Sequence, residues 1–310
     1  MTESIQPTTK LPRLRMFRDN PVTMKELRSR MRGRRAFVVL TIYLGVMSLL
    51  ITLIYLAYAS SSNQPYGPDP RQAGKVVFAA VVGVEVLLAI FIAPAFTAGA
   101  ITGEKERQTF DLLRTTLLPA NWFVMGKLQS ALGYVLLLIV ASIPLQSIAF
   151  LLGGLSWEEL VVSQIIIVIA AVTFAIFGLF CSASLRSTLA ASVATFGGAI
   201  FFTLGLPVIF LLMTGFLGPL FFTTSTLSWV AEAALAYGAF VLMAFNLPAT
   251  LIASEVFLLE ENTLFFFKQN FGGHQFWFFS PWLLFVVIYL LLARLFYWLT
   301  VRRVRRVAKS

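Results

Sequence analysis

VVFAAVVGVEVLLAIFIAPAFTAGAI, Val76 to Ile101, runs directly into TGEKERQTFDLLRTT, Thr102 to Thr116. The first stretch holds one charged residue, Glu85, in 26 positions, and about 20 apolar residues are enough to cross a bilayer. The second holds six charged residues in 15 positions, with both signs represented. So sharp a change of solvent preference marks the edge of a hydrocarbon layer. It predicts a membrane span that ends in a charged segment facing water.

The rest of the chain extends this reading. Of its 310 residues, 58% are hydrophobic and 12% charged, and the mean hydropathy is +0.84. A soluble domain cannot bury that much apolar side chain. Further spans are expected near Phe37–Tyr58, Leu128–Leu152, Leu160–Cys181, Thr188–Met213 and Pro281–Val301. The expected fold is an all-α integral membrane protein with six transmembrane helices. It divides into a basic tail and amphipathic helix over 1–36, a transmembrane region over 37–301 and a basic tail over 302–310.

The formal charge of +10 is placed like a topology signal rather than a nucleic-acid surface. Ten Lys or Arg precede Phe37 and five follow Val301. Four more lie between Glu104 and Lys127, and Arg186 adds one. The positive-inside rule reads these flanks as cytoplasmic, at both termini. Even parity then governs a seventh apolar block, Val230–Leu259, which Asn246-Leu-Pro248 interrupts. Two short helices that enter from the outer side and return keep both termini inside, provided that protein or water satisfies the irregular backbone. An outer re-entrant hairpin over 230–259 is therefore expected, followed by an aromatic stretch, Phe265–Trp282, in the outer interfacial belt.

Asn20-Pro21 reads as a helix start, with Asn as cap and Pro at the first position. Beyond it Met24, Leu27 and Met31 form one stripe, and Lys25, Arg28, Arg32 and Arg35 another. This amphipathic helix is either a basic anchor at the interface or an elbow docked on a partner. In the charged segment, Glu104 and Arg107, Arg107 and Asp111, and Asp111 and Arg114 stand at helical neighbour spacing. Phe110, Leu113 and Leu117 run beside them. A short helix capped by Thr109 and stopped by Pro119 is expected, with Gly103 as the bend before it. Pro94 and Pro144 are expected to kink their spans. Glu85 is either a pore-facing or helix-bonding group or a residue near the outer water boundary.

Enzymatic signatures are missing. Gly74-Lys75-Val76 and Gly126-Lys127-Leu128 lack the Ser or Thr and the spacing of a phosphate loop. Cys181 and His274 are single, so neither a disulfide nor a Cys or His metal cluster forms within the chain. His274 reads as a solvated loop residue, and the 22-residue first apolar run exceeds a signal-peptide core.

NPVTMKELRSRMRGRRAF, Asn20 to Phe37, resembles the N-terminal signature of bacterial type-2 ABC exporter permeases. PAFTAGAITGEKERQTFDLLR, Pro94 to Arg114, resembles the same family's junction between second span and coupling helix, and Gly126-Lys127-Leu128 fits the start of its third span. The resemblance covers about the first 130 residues. It implies a transmembrane permease subunit in a bacterial cell (inner) membrane, paired with a second permease subunit and with cytoplasmic ABC ATPase subunits. Those ATPases would bind the ATP and Mg. It implies that Glu104, Lys105, Glu106, Arg107, Phe110, Asp111 and Arg114, within a coupling region at 102–119, contact the ATPase. Asn20, Pro21, Lys25, Glu26, Arg28 and Arg32 of the elbow helix would support that contact. The competing expectation is a self-contained channel or ion-coupled carrier working through Glu85.

Overall fold

The computed structural model describes residues 21–31, 34–61, 69–108, 119–209, 211–212, 229–261, 264–271 and 274–307. Its helices are α1 (Pro21–Met31), α2 (Arg34–Ser61), α3 (Pro70–Leu87), α4 (Ala93–Ala98), α5 (Thr102–Glu106), α6 (Ala120–Leu151), α7 (Trp157–Ser184), α8 (Thr188–Ile200), α9 (Trp229–Ala244), α10 (Leu247–Glu261) and α11 (Pro281–Val307). Strands β1 (Phe266–Phe271) and β2 (His274–Phe279) precede α11. Among the described residues six helical stretches are long and apolar enough to cross a membrane, at the positions expected for the six spans.

Helix starts follow local chemistry. Asp69 caps α3, accepting from Arg71 N at 3.0 Å, with Pro70 in the first position where its missing N–H costs nothing. Ser156 caps α7 and Ser187 caps α8, accepting from Glu159 N at 3.3 Å and Ala190 N at 3.2 Å. Between α6 and α7 the chain turns at Gly153, whose φ of +77° is the left-handed region that glycine occupies without strain.

The core is organised around α7. Ile166, Ile167, Ala170, Ala171, Ala175 and Leu179 are fully buried, and α7 packs against α3, α4, α6, α8, α10 and α11. Small residues let these helices approach closely, which is the main source of packing energy where lipid is as apolar as side chains. At Gly178 an added Cβ would lie 2.3 Å from Thr97 Oγ1 and 3.1 Å from Pro94 O. One turn earlier on α7, Phe174 meets Tyr289 edge to face at 6.1 Å, and Thr173 Oγ1 donates to Tyr289 O at 3.2 Å. By contrast, only 11% of the most apolar window of α2 is buried, so most of that helix is left to lipid or a partner.

Among the described residues two π-helical turns break the regular winding, Leu88–Ile92 and Phe201–Gly205. The first leads into Pro94: Ala93 N–H reaches back five residues to Leu88 O, just before the proline that has no N–H to give. Pro144 sits inside α6, which runs on as one helix. The second turn is held by Asn246, whose Nδ2 donates to Thr203 O at 2.6 Å and to Phe202 O at 3.3 Å. Asn246 Oδ1 also accepts from Ala249 N at 2.9 Å and so caps α10. The interruption that the sequence places at Asn246-Leu-Pro248 is thus the point where α9 and α10 meet, bent by 118°.

The stretch after α10 contains the one departure from an all-helical chain among the described residues. β1 and β2 pair antiparallel, Phe266 opposite Phe279 and Phe271 opposite His274. Trp277 and Phe279 face out while Phe278 is 1% exposed, the period-two alternation of a strand with one covered face. Phe278 stacks on Tyr237 of α9 at 4.1 Å. His274, expected in a solvated loop, opens β2.

Candidate functional site

The junction between span and charged segment departs from expectation in where it bends. The helix breaks after Ala98, through Gly99 and Ala100, and α5 resumes at Thr102, so Gly103 lies inside a helix rather than at the hinge. The reason is a hydroxyl from another span. Ser182 Oγ of α7 accepts from Ile101 N at 2.9 Å and Thr102 N at 3.0 Å, satisfying two amides that the break sets free. Beyond α5, Gln108 takes a positive φ of 55° and ends the turn. The expected helix capped by Thr109, with Phe110, Asp111, Leu113, Arg114 and Leu117, lies outside the described residues, as do Asn20 and Arg32.

One ammonium ties three elements together. Lys127 Nζ of α6 pairs with Glu104 of α5 at 2.9 Å and with Glu26 of α1. Lys127 is 7% exposed, and its other neighbour is the Phe123 ring, 5.7 Å away. Ser130 Oγ donates to Glu26 Oε2 at 2.7 Å, and Thr23 Oγ1 donates to Gln129 Oε1 at 2.7 Å. An added Cβ at Gly133 would come within 3.2 Å of Leu27 Cδ1. Thr23, Glu26 and Leu27 therefore form the face of α1 that docks on α6, at i, i+3 and i+4. The Met24, Leu27, Met31 stripe is only partly that face, since Met24 is exposed. Lys25 is exposed too, and the side chains of Pro21 and Arg28 lie outside the description.

α5 also closes the ends of two spans. Lys105 Nζ donates to Ala183 O at 2.9 Å and Leu185 O at 3.4 Å, at the C-terminal end of α7. Glu106 accepts from Thr188 N and from Thr188 Oγ1, both at 2.6 Å, at the N-terminal end of α8. A cation on terminal carbonyls and an anion on terminal amides are the signs that the two helix dipoles favour. Glu104, Lys105 and Glu106 thus all bond within the chain, and Glu104 pairs with Lys127, not with Arg107 three residues on. Arg107 is exposed. Lys127, Ser182 and Thr188 carry the junction, and of these only Lys127 stood in a segment that the sequence linked to it.

Glu85 lies apart from this junction. It is fully buried between α3, α6 and α7. Its carboxylate accepts from Ser142 Oγ, from Gln146 Nε2 at 2.9 Å and from Gln164 Nε2 at 2.8 Å. This is the helix-bonding alternative, an acid that gathers donors from two neighbouring spans. Among the described residues no group of three or more His, Cys, Asp or Glu could hold a metal ion.

Compared with known proteins, the chain matches no family model and no curated sequence.

Proposed function

We propose that the chain is the transmembrane permease subunit of an ATP-driven ABC exporter, working in a bacterial cell membrane with a second permease subunit and two cytoplasmic ATPases. The observation that carries this reading is the Glu26–Lys127–Glu104 node. The exporter resemblance rests on three separated segments, and each contributes one residue to that node. Segments that share a function in such a permease have a physical reason to meet, because a push on one must reach the spans.

In this reading α1 is the elbow helix, α5 opens the coupling region, and the bent pair α9–α10 is a re-entrant hairpin on the outer side. Both basic termini then face the cytoplasm. ATP and Mg bind the partner ATPase, whose closure presses on the 102–119 region. Lys127 passes that displacement to α6 and α1, and the bonds of Lys105 and Glu106 pass it to α7 and α8. Because Glu104, Lys105 and Glu106 are bonded within the chain, Arg107 with Phe110, Asp111 and Arg114 forms the ATPase contact. The channel or carrier reading would rest on Glu85, whose carboxylate accepts from three donors within the chain.

Arg107→Cys in a Cys181→Ser background, probed with a membrane-impermeant maleimide, tests the topology. Labelling is expected from the cytoplasmic face alone. Arg107→Glu with Arg114→Glu is expected to leave the protein in the membrane but to abolish substrate-stimulated turnover by a co-purifying ATPase. Labelling from outside, or normal turnover in the reversed protein, refutes the proposal.

A further inference from the structure

A groove of about 280 Å3 opens between α3, α7 and α10. Its walls are hydrocarbon, chiefly Phe78, Val82, Val86, Ile166, Leu251 and Leu258. Two acids line it from facing helices, Glu159 of α7 and Glu255 of α10, with Glu255 within electrostatic range of Glu159. Glu159 is 7% exposed and its Oε2 has no hydrogen-bond partner. Ser254, also lining the groove, is 2% exposed, and its Oγ has no partner either. Lys75 stands within electrostatic range of Glu159 without forming an ion pair with it.

The acids mark one end of the groove. Glu85 meets Gln164, and Thr102 meets Ser182, so α3 and α7 run in the same direction with an offset of about 80 residues. Glu159 therefore stands level with Ala79 and Ala80, and the hydrocarbon walls continue from there toward Val86 and Ile166.

Ser156 bonds the Glu159 carboxylate, but a buried acid oxygen left without a donor is unfavourable, and a second acid beside it adds repulsion. One kind of occupant relieves both. We propose that this groove binds an alkylammonium ion. Its N–H groups donate to Glu159 Oε2 and Ser254 Oγ, its charge lies between Glu159 and Glu255, and its hydrocarbon body lies along the apolar walls. An ammonium brings donors and no acceptor, which suits two orphaned oxygens. An alkyl anion meets the acids with the wrong sign. A neutral alcohol supplies a donor but no charge. A bare metal ion leaves the hydrocarbon walls unused. The volume is near the lower end of small-molecule sites, which favours a short amine. The binding site is argued from the groove itself; the view that such an amine is the cargo rests on the exporter reading.

The test is saturation binding of radiolabelled octylamine to the full chain in zwitterionic lipid nanodiscs, with empty discs subtracted. One saturable site per chain is expected, with excess octanoate failing to compete and octanol competing at least tenfold more weakly than octylamine. Glu159→Gln with Glu255→Gln is expected to weaken binding at least tenfold. Gly83→Leu projects into open space on the groove wall, where an added Cβ meets nothing within 4 Å. It is expected to abolish binding while preserving the thermal unfolding midpoint. Should that variant not fold, Ser254→Val removes one orphaned acceptor and is expected to weaken binding severalfold. Absence of a saturable site overturns the proposal, as does equal competition by octanol or unchanged affinity in the acid-free variant. Octylamine that binds but leaves a co-purifying ATPase unstimulated overturns the cargo role and leaves the site standing.

Discussion

Replacing Lys127 by Met tests whether the three-way node organises the junction. The substitution keeps the stem of the side chain and removes the ammonium. What remains is a pair of acids, Glu26 and Glu104, whose side chains are 20% and 28% exposed and which have lost the ammonium they shared. Removing one partner of a buried ion pair costs about 3–5 kcal/mol, mostly because the other charge is left uncompensated. Both acids here retain some water, so the lower end applies, about 3 kcal/mol. The same reasoning predicts a rescue. In Lys127→Met with Glu26→Gln and Glu104→Gln no stranded charge remains, and stability is expected to return to within about 1 kcal/mol of the original, the net worth of many such pairs. The assay is reversible unfolding of the purified chain in mixed micelles by titration with a denaturing detergent, followed by circular dichroism and read as a mutant cycle. A Lys127→Met variant as stable as the original would refute the node. So would a triple variant no more stable than the single one, because the loss would then come from packing of the stem.

Other expectations follow from individual contacts. Gly178→Val is expected to lower stability by about 1–3 kcal/mol by driving a side chain into Thr97 and Pro94, whereas Gly83→Ala is neutral or stabilising by up to about 1 kcal/mol; thermal unfolding midpoints in micelles compare them. Glu85→Leu strands the donors of Ser142, Gln146 and Gln164 and is expected to cost about 3 kcal/mol, while Glu85→Gln, which keeps an acceptor oxygen, costs about 1 kcal/mol; detergent-titration unfolding separates the two. Asn246→Leu uncaps α10 and frees the carbonyls of the second π-helical turn, with an expected loss of about 1–3 kcal/mol; amide exchange should quicken at Ala249 first. Glu106→Ala is expected to speed exchange at the Thr188 amide without changing the rest of α8.

What the sequence conveyed were the features set by neighbours along the chain. The six apolar stretches and the break at Asn246-Leu-Pro248 depend on residues a few positions apart, and each stands where it was expected. The β-hairpin had a local signal too. Gly272-Gly273 separates two aromatic runs, a two-residue turn signature, but the runs of Phe read first as interfacial aromatics. Other features were not legible because they are made between spans. The bend at Gly99 depends on Ser182, 80 or so residues away. Nothing near Glu85 in the sequence announces the amides of Gln146 and Gln164. Glu159 and Glu255 are 96 positions apart in the sequence and come together only because α10 folds back to face α7. Lys127 was visible only as part of a Gly-Lys pair, and its two acids lie 101 and 23 positions earlier.

Lys105 and Glu106 are consecutive, yet one holds the last turn of α7 and the other the first turn of α8. The hairpin between those two spans is therefore clasped from outside by a single dipeptide. Rotating that dipeptide cannot loosen one span end and leave its neighbour at rest; both must follow, in the manner of a handle fixed to a hinge by two pins.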